Sequence, residues 1–230
     1  MTRARDLADG WAPPIRCASE FAAAFPVSHE TKVLLEKYDA LLLKWAAKIN
    51  LVARSTLEDR WRRHFLDSAQ IIEFLSENTQ ILVDLGSGAG FPGLVLAILG
   101  AERGLHVHLI ESDRKKCAFL QTVVRETGAP ATIHAARAES LDPIRADVVT
   151  ARALAPLKNL LELTAPFAAE TTRCLFLKGR DVDVELTEAA KCWNIDAIRR
   201  PSRTDPAATI LEVRSFARVI SDPSGFAAAP

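Results

Sequence analysis

The sequence predicts an α/β fold: a mostly parallel sheet of seven strands covered by helices on both faces, preceded by a helical extension. Three observations predict it. Beyond Asn78 short apolar runs alternate with helical periodicity, the order that builds parallel strands joined by crossover helices. The first run leads straight into DLGSGAGFPG, residues 84–93, where glycines and then Pro92 mark a tight turn and the opening of a helix. Ahead of any strand, two stretches repeat apolar residues at steps of three and four, the spacing of one helix face.

Residues 1–27 mix Gly, paired Pro and Ala with little periodicity and read as a loosely held lead-in. From Ser28, a candidate N-cap, the residues Leu34, Tyr38, Leu41, Leu42, Trp45 and Ile49 mark the first helix. Leu57, Trp61, Phe65, Ala69, Ile72 and Leu75 mark a second, opened by Thr56 with Asp59 three residues on. Residues 28–78 are therefore expected to form an N-terminal helical cap. Residues 79–218 are expected to form the sheet domain, with strands at 81–84, 106–111, 132–135, 147–151, 174–178, 195–199 and 209–213. Helices are expected between them at 92–99, 114–126, 156–166 and 182–192. Only SRTDPAA separates the last two strands, so a hairpin with an antiparallel strand is expected at that edge, followed by a flexible Ala-rich tail at 219–230.

The chain has 230 residues, nearly half apolar, enough for one substantial core. No stretch approaches the roughly 20 apolar residues that cross a bilayer, and the first residues lack the apolar segment of a secretory signal, so a cytoplasmic protein is expected. Cys17, Cys117, Cys174 and Cys192 form no C-x-x-C pair, which suggests neither zinc ligation nor a disulfide framework. Lys plus Arg and Asp plus Glu both number 29, and residues 1–78 are themselves balanced at 11 each. That excludes a generally sticky nucleic-acid binder, which carries a basic footprint, and leaves only local basic clusters to contact phosphates.

A strand, bare glycines and a helix N-terminus at the carboxyl edge of a sheet make a ligand cradle. Gly88, Gly90 and Gly93 satisfy G-x-G-x-x-G, and Glu111 stands about 20 residues on, at the end of the second strand, where an acid accepts from ribose hydroxyls. Asp84 discriminates between ligands. A carboxylate at the lip of the cradle repels a dinucleotide pyrophosphate, whereas S-adenosylmethionine presents a sulfonium and an ammonium there. The plainer alternatives are that Asp84 caps the turn and that Glu111 pairs with Lys115 or Lys116.

DLGSGAGFPG together with ESDRKKCAFL (residues 111–120), AARAESL (135–141), VVTARALAPL (148–157), WAAKINLV (45–52) and RHFLDS (63–68) resembles the ribosomal small-subunit methyltransferase G family, also called glucose-inhibited division protein B. The resemblance runs from about residue 28 to about residue 216. It implies a class I S-adenosylmethionine-dependent methyltransferase, Rossmann-like, with an N-terminal helical extension; separately from the resemblance, no metal and a monomer are expected. It implies methylation of N7 of a single guanine, guanine 527 in the 530 loop of 16S rRNA, on free rRNA or in the small subunit. The family's donor positions fall on Gly86, Phe91, Ala138, Glu139 and Arg152, beside Asp84, Gly88 and Glu111 already singled out. Ala151 stands where the family often has serine, and the lead-in is longer.

Guanine N7 has an in-plane lone pair and no proton, so its methylation needs no general base, in keeping with a sequence that has no persuasive Ser/His/Asp or Cys/His grouping. Catalysis is then positioning, with Arg152 contacting donor or base. Docking of the RNA is expected through the densest basic stretch, Arg54, Arg60, Arg62, Arg63 and His64, with Arg60 and Arg63 on one helix face, and through a second cluster of Arg199, Arg200 and Arg203, while Lys178 at the end of the fifth strand stands between a phosphate contact and a surface charge. A solvated helix face with an Arg63–Asp67 pair is the plainer alternative there. Three other readings stand beside this one: a methyltransferase for small molecules or proteins, an NAD-dependent oxidoreductase, and a non-catalytic ribosome-associated RNA-binding factor.

Overall fold

Runs such as ILVDL are apolar on both faces, which suits strands covered by helices above and below. In the computed structural model, which describes residues 15–219, these runs form one seven-stranded sheet. In chain order the strands are β1 (Ile81–Leu85), β2 (His106–Ile110), β3 (Ala131–His134), β4 (Val148–Arg152), β5 (Arg173–Lys178), β6 (Trp193–Pro201) and β7 (Thr209–Arg218). They lie in the order β3-β2-β1-β4-β5-β7-β6, with β1 to β5 parallel and β7 antiparallel to both neighbours. The order reverses between β1 and β4, and the carboxyl ends there open the crevice in which such sheets bind ligands. The expected hairpin is present, but its antiparallel strand β7 lies one place in from the edge, and β6 takes the edge.

Helices α4 (Gly93–Gly100) and α5 (Arg114–Thr127) cover one face, α6 (Leu157–Thr164) and α7 (Val182–Ala190) the other. Local chemistry sets the ends of α5: Asp113 Oδ1 accepts from the amides of Lys115 and Lys116 at 2.8 and 3.2 Å, and Gly128 closes the helix with φ +68°.

Helix α1 (Ala18–Ala24) and helix α2 (His29–Ala46), the latter N-capped by Ser28 as expected, pack outside α4 and α5 and share their core. Two details differ from the sequence reading. Residues 15–25 are not loosely held: Ile15 and Phe21 are fully buried, and Phe21 packs on Trp61. The second helical stretch starts at Trp61 rather than Thr56, as a π-helical turn, Trp61–Leu66, that runs into α3 (Asp67–Ala69) and a 3-10 turn, Gln70–Phe74. Thr56 does not cap it, because its hydroxyl donates to Ala53 O at 2.6 Å. Most of the expected lead-in and all but Val219 of the expected tail lie outside the described residues.

Candidate active site

The glycine turn is held from below by Asp84. Its side chain is fully buried, and its carboxylate accepts from the Thr150 hydroxyl at 2.8 Å and from the Gly93 amide at 3.2 Å. Thr150 is the residue opposite Asp84 in the β1–β4 register, so the contact is built into the strand pairing. Gly93 opens α4, so Asp84 caps that helix and meets the positive end of its dipole. A Cβ on Gly93 would stand 2.7 Å from Asp84 Oδ2, which explains the glycine. Burial pushes the Asp84 carboxyl up to about 6. Asp84 therefore lies beneath the cradle and not at its lip, and it does not select a ligand by facing it. The sequence alternative that it caps the turn is the correct one.

Above Asp84, Gly88 takes φ +57° and donates its amide to Glu111 Oε2 at 2.8 Å, while Glu111 Oε1 accepts from the Asp113 amide at 2.8 Å. Glu111 thus ties the turn to the end of β2, and it pairs with neither Lys115 nor Lys116.

A cleft of about 960 Å³ opens over the turn, of the size that holds small ligands. Gly86, Gly88, Phe91 and Arg152 line it, together with Arg63, His64 and Asp67 from the helical extension. Phe91 stacks on Tyr38 and on His64 at centroid distances of 5.2 and 5.1 Å. The Tyr38 hydroxyl, from α2, donates to Ala89 O inside the turn. Arg152 lies 5.1 Å over the Phe91 ring and donates to Arg63 O and His64 Nδ1, both at 3.0 Å, with Asp67 Oδ2 at 3.6 Å. The next residue, Ala153, takes φ +52°, which sends Arg152 toward the helices and sets Leu154 against the Gly86 backbone.

Residues 31–205 match the family model for rRNA small subunit methyltransferase G. The chain belongs to this family. It is 56% identical over 206 residues to the ribosomal RNA small subunit methyltransferase G of Rhodospirillum centenum, spanning 90% of this chain and 94% of that protein. It is 53% identical over 197 residues to the protein of the same name from Paramagnetospirillum magneticum, spanning 86% and 95%. Among solved structures, a SAM-dependent methyltransferase from Aquifex aeolicus superposes with a TM-score of 0.51 at 13% identity, covering 70% of this chain and 93% of that one, and agrees with the class I methyltransferase fold. Membership in the methyltransferase G family leaves the oxidoreductase reading of the glycine turn without support.

Of the donor positions carried over from methyltransferase G, the structure brings Gly86, Phe91 and Arg152 into the cleft, with Gly88 beside them. Ala138 and Glu139 sit in a 3-10 turn, Ala138–Ser140, beyond β3 on the same sheet edge but outside the cleft lining.

Most of the expected RNA contacts are otherwise engaged. Arg60 is bidentate to Asp39 of α2, its Nη2 at 2.8 Å from Oδ2. His64 is buried and its pKa falls to about 3, through desolvation and the nearby Arg152 and Arg63, so it presents no charge to a phosphate. Lys178 is spent on Glu185 Oε2 at 2.7 Å and Ala155 O at 2.9 Å. Arg200 pairs with buried Glu212 at 2.6 Å, and Arg199 pairs with Asp183, both outside the cleft. Arg63 alone remains exposed in the cleft, and its expected partner Asp67 is taken by Arg152. Tyr38, Asp67 and Thr150 were missed. RHFLDS carried the signal for Asp67, but the sequence did not show that it faces Arg152.

Proposed function

We propose that the protein transfers a methyl group from S-adenosylmethionine to N7 of one guanine, guanine 527 in the 530 loop of 16S rRNA, without a general base. The observation that carries this reading is that, among the described residues, the histidine and each of the acids that line the cleft are already engaged in hydrogen bonds with the protein. His64 accepts from Arg152 through Nδ1, and its Nε2 is held at 2.8 Å from Thr56 Oγ1. Asp67 accepts from Thr204 at 2.7 Å and Gln70 at 2.9 Å, and Glu185 accepts from Lys178 and from the Leu157 amide at 2.7 Å. Asp205 accepts from the Ala207 amide at 2.9 Å. An acceptor with a lone pair and no proton, such as guanine N7, suits such a site better than an amine or hydroxyl that must be deprotonated.

The cradle fits the donor. A Cβ on Gly86 would stand 2.5 Å from Leu154 Cδ1, so the bare backbone keeps the floor of the cleft open. Bound there, S-adenosylmethionine supplies a sulfonium-activated methyl group for in-line displacement. In this reading Gly86, Gly88 and Phe91 hold the donor, Glu111 meets its ribose, and Ala138 and Glu139 border its adenine. Arg152 fixes the wall against which the base is oriented, and the half-closed cleft limits water. An unpaired loop suits the reaction because a splayed base exposes its N7 edge.

The test is incubation of the purified protein with labelled S-adenosylmethionine and small-subunit RNA, followed by mapping of the modified base. One N7-methylguanine at position 527 is expected. Methyl on another atom refutes the base-free chemistry, and donor binding without product identifies a non-catalytic RNA-binding factor.

A further inference from the structure

We propose that the seam between the end of α2 and the start of α5 is the track that grips the RNA backbone beside the target base. This rests on the reading above that RNA is the substrate; of the cations that the sequence suggested it keeps Arg54 and Arg63 and sets the others aside. The seam is a second hollow of about 450 Å³, lined by Lys48, Asn50, Arg54, Asp113, Lys115 and Lys116. Lys48, Arg54 and Lys115 are exposed and Lys116 is half-buried. None of the four cations comes within 4.0 Å of a carboxylate among the described residues. The one acid in the hollow, Asp113, turns its carboxylate to the backbone amides of Lys115 and Lys116.

Continuity with the active site argues for a backbone track over a solvated face. Lys116 lines both the seam and the main cleft, and exposed Arg63 lines the cleft. A strand whose guanine enters the cleft would therefore lay neighbouring phosphates along Lys116, Lys115, Arg54 and Lys48. The neutral total charge is no obstacle. Arg60, Lys178 and Arg200 are paired with buried or half-buried acids and Arg199 with Asp183 at the surface, whereas the seam cations have no such partner among the described residues. Phosphates need only a local surplus of unpaired cations.

The experiment uses the full chain and an RNA hairpin with the sequence of the 16S 530 loop. Anisotropy is read against salt for the wild type, for Lys48→Ala/Arg54→Ala/Lys115→Ala, and for Lys48→Arg/Lys115→Arg. The triple variant is expected to lose at least tenfold in affinity at low salt, and its salt slope to fall by about 2, from about 0.7 per phosphate contact on a single strand. Its affinity for S-adenosylmethionine should stay unchanged by calorimetry, and the arginine variant should bind RNA like the wild type. Unchanged RNA affinity and slope in the triple variant overturn the seam. Should that variant fold poorly, ultraviolet cross-linking of the wild type to the hairpin decides: adducts at residues 48–54 and 115–116 support the track, and adducts confined to other surfaces overturn it. A wild type that binds donor but neither binds nor methylates the RNA overturns the functional reading and the seam with it. A wild type that methylates while the triple variant keeps its RNA KM overturns the seam alone.

Discussion

Arg152, at the carboxyl end of β4, donates from Nη1 to Nδ1 of His64, 3.0 Å away in the helical extension. That bond sets the imidazole. Nδ1 accepts, so the proton sits on Nε2, which faces Thr56 Oγ1, and Thr56 in turn donates to Ala53 O. A chain of hydrogen bonds thus runs from the strand edge through the helices, and Phe91 lies beneath its first link. The extension is consequently part of the active-site wall.

Replacing Arg152 by Ala should lower methyl transfer at every pH alike, on the order of a hundredfold, because the wall shifts while no acid or base is lost. It also leaves the Asp67 carboxylate, at 15% side-chain exposure, without its cation. Rates measured from pH 6 to pH 9 check this. A profile that changes shape would give Arg152 a proton-transfer role.

His64 makes the fold sensitive to acid. Its folded pKa of about 3 lies below the ordinary 6.5, so the unfolded chain binds the proton first. Stability is complete above pH 6.5 and falls toward pH 3, by about 1.4 kcal/mol per pH unit from this one group. His64→Gln removes that titration. Its melting temperature should therefore fall less steeply than that of the wild type as pH drops below 6.5, a difference read by thermal unfolding in a pH series.

The strands, the Ser28 cap and the glycine turn were legible because each is written in neighbouring residues: apolar runs, a polar cap, bare backbone before Pro92. Pairings across the fold were not. Arg60 looks like a surface cation in its own stretch, but its partner Asp39 stands 21 residues earlier on α2. Asp84 looked like the rim of a pocket, since nothing local to β1 reveals that Thr150 will lie opposite it. Helix α1 escaped notice because its burial depends on Trp61, which reaches it only once the extension has folded.

Tyr38 couples α2 to the donor turn, so a conservative change far from any substrate should weaken donor binding. Tyr38→Phe keeps the ring stacked on Phe91 but removes the donor to Ala89 O, leaving that carbonyl short of a partner at a cost of about 1–3 kcal/mol. The dissociation constant for S-adenosylmethionine should rise by about tenfold in calorimetry, with RNA affinity unchanged. An unchanged donor affinity would show that the turn holds its shape without the extension.

Asp84 supplies the opposite pH dependence to His64, and the sign follows from its environment. Burial raises its folded pKa from 3.8 to about 6, so the folded protein holds the proton more tightly than the unfolded chain. That contribution is fully present below pH 3.8 and is lost as pH rises through 6, amounting to about 3 kcal/mol. The fold accepts the cost because the carboxylate holds Thr150 and the first amide of α4 together under the turn. Asp84→Asn removes the charge but keeps one acceptor for Gly93. Its stability relative to the wild type should rise between pH 4 and pH 6 and level off above, as measured by urea unfolding. Donor affinity should fall nonetheless, because the amide cannot accept from both Thr150 and Gly93 and the turn loses one of its two ties. If the stability difference were flat with pH, the Asp84 carboxyl would have the same pKa folded and unfolded; if donor affinity were also unchanged, the turn would not depend on the acid beneath it.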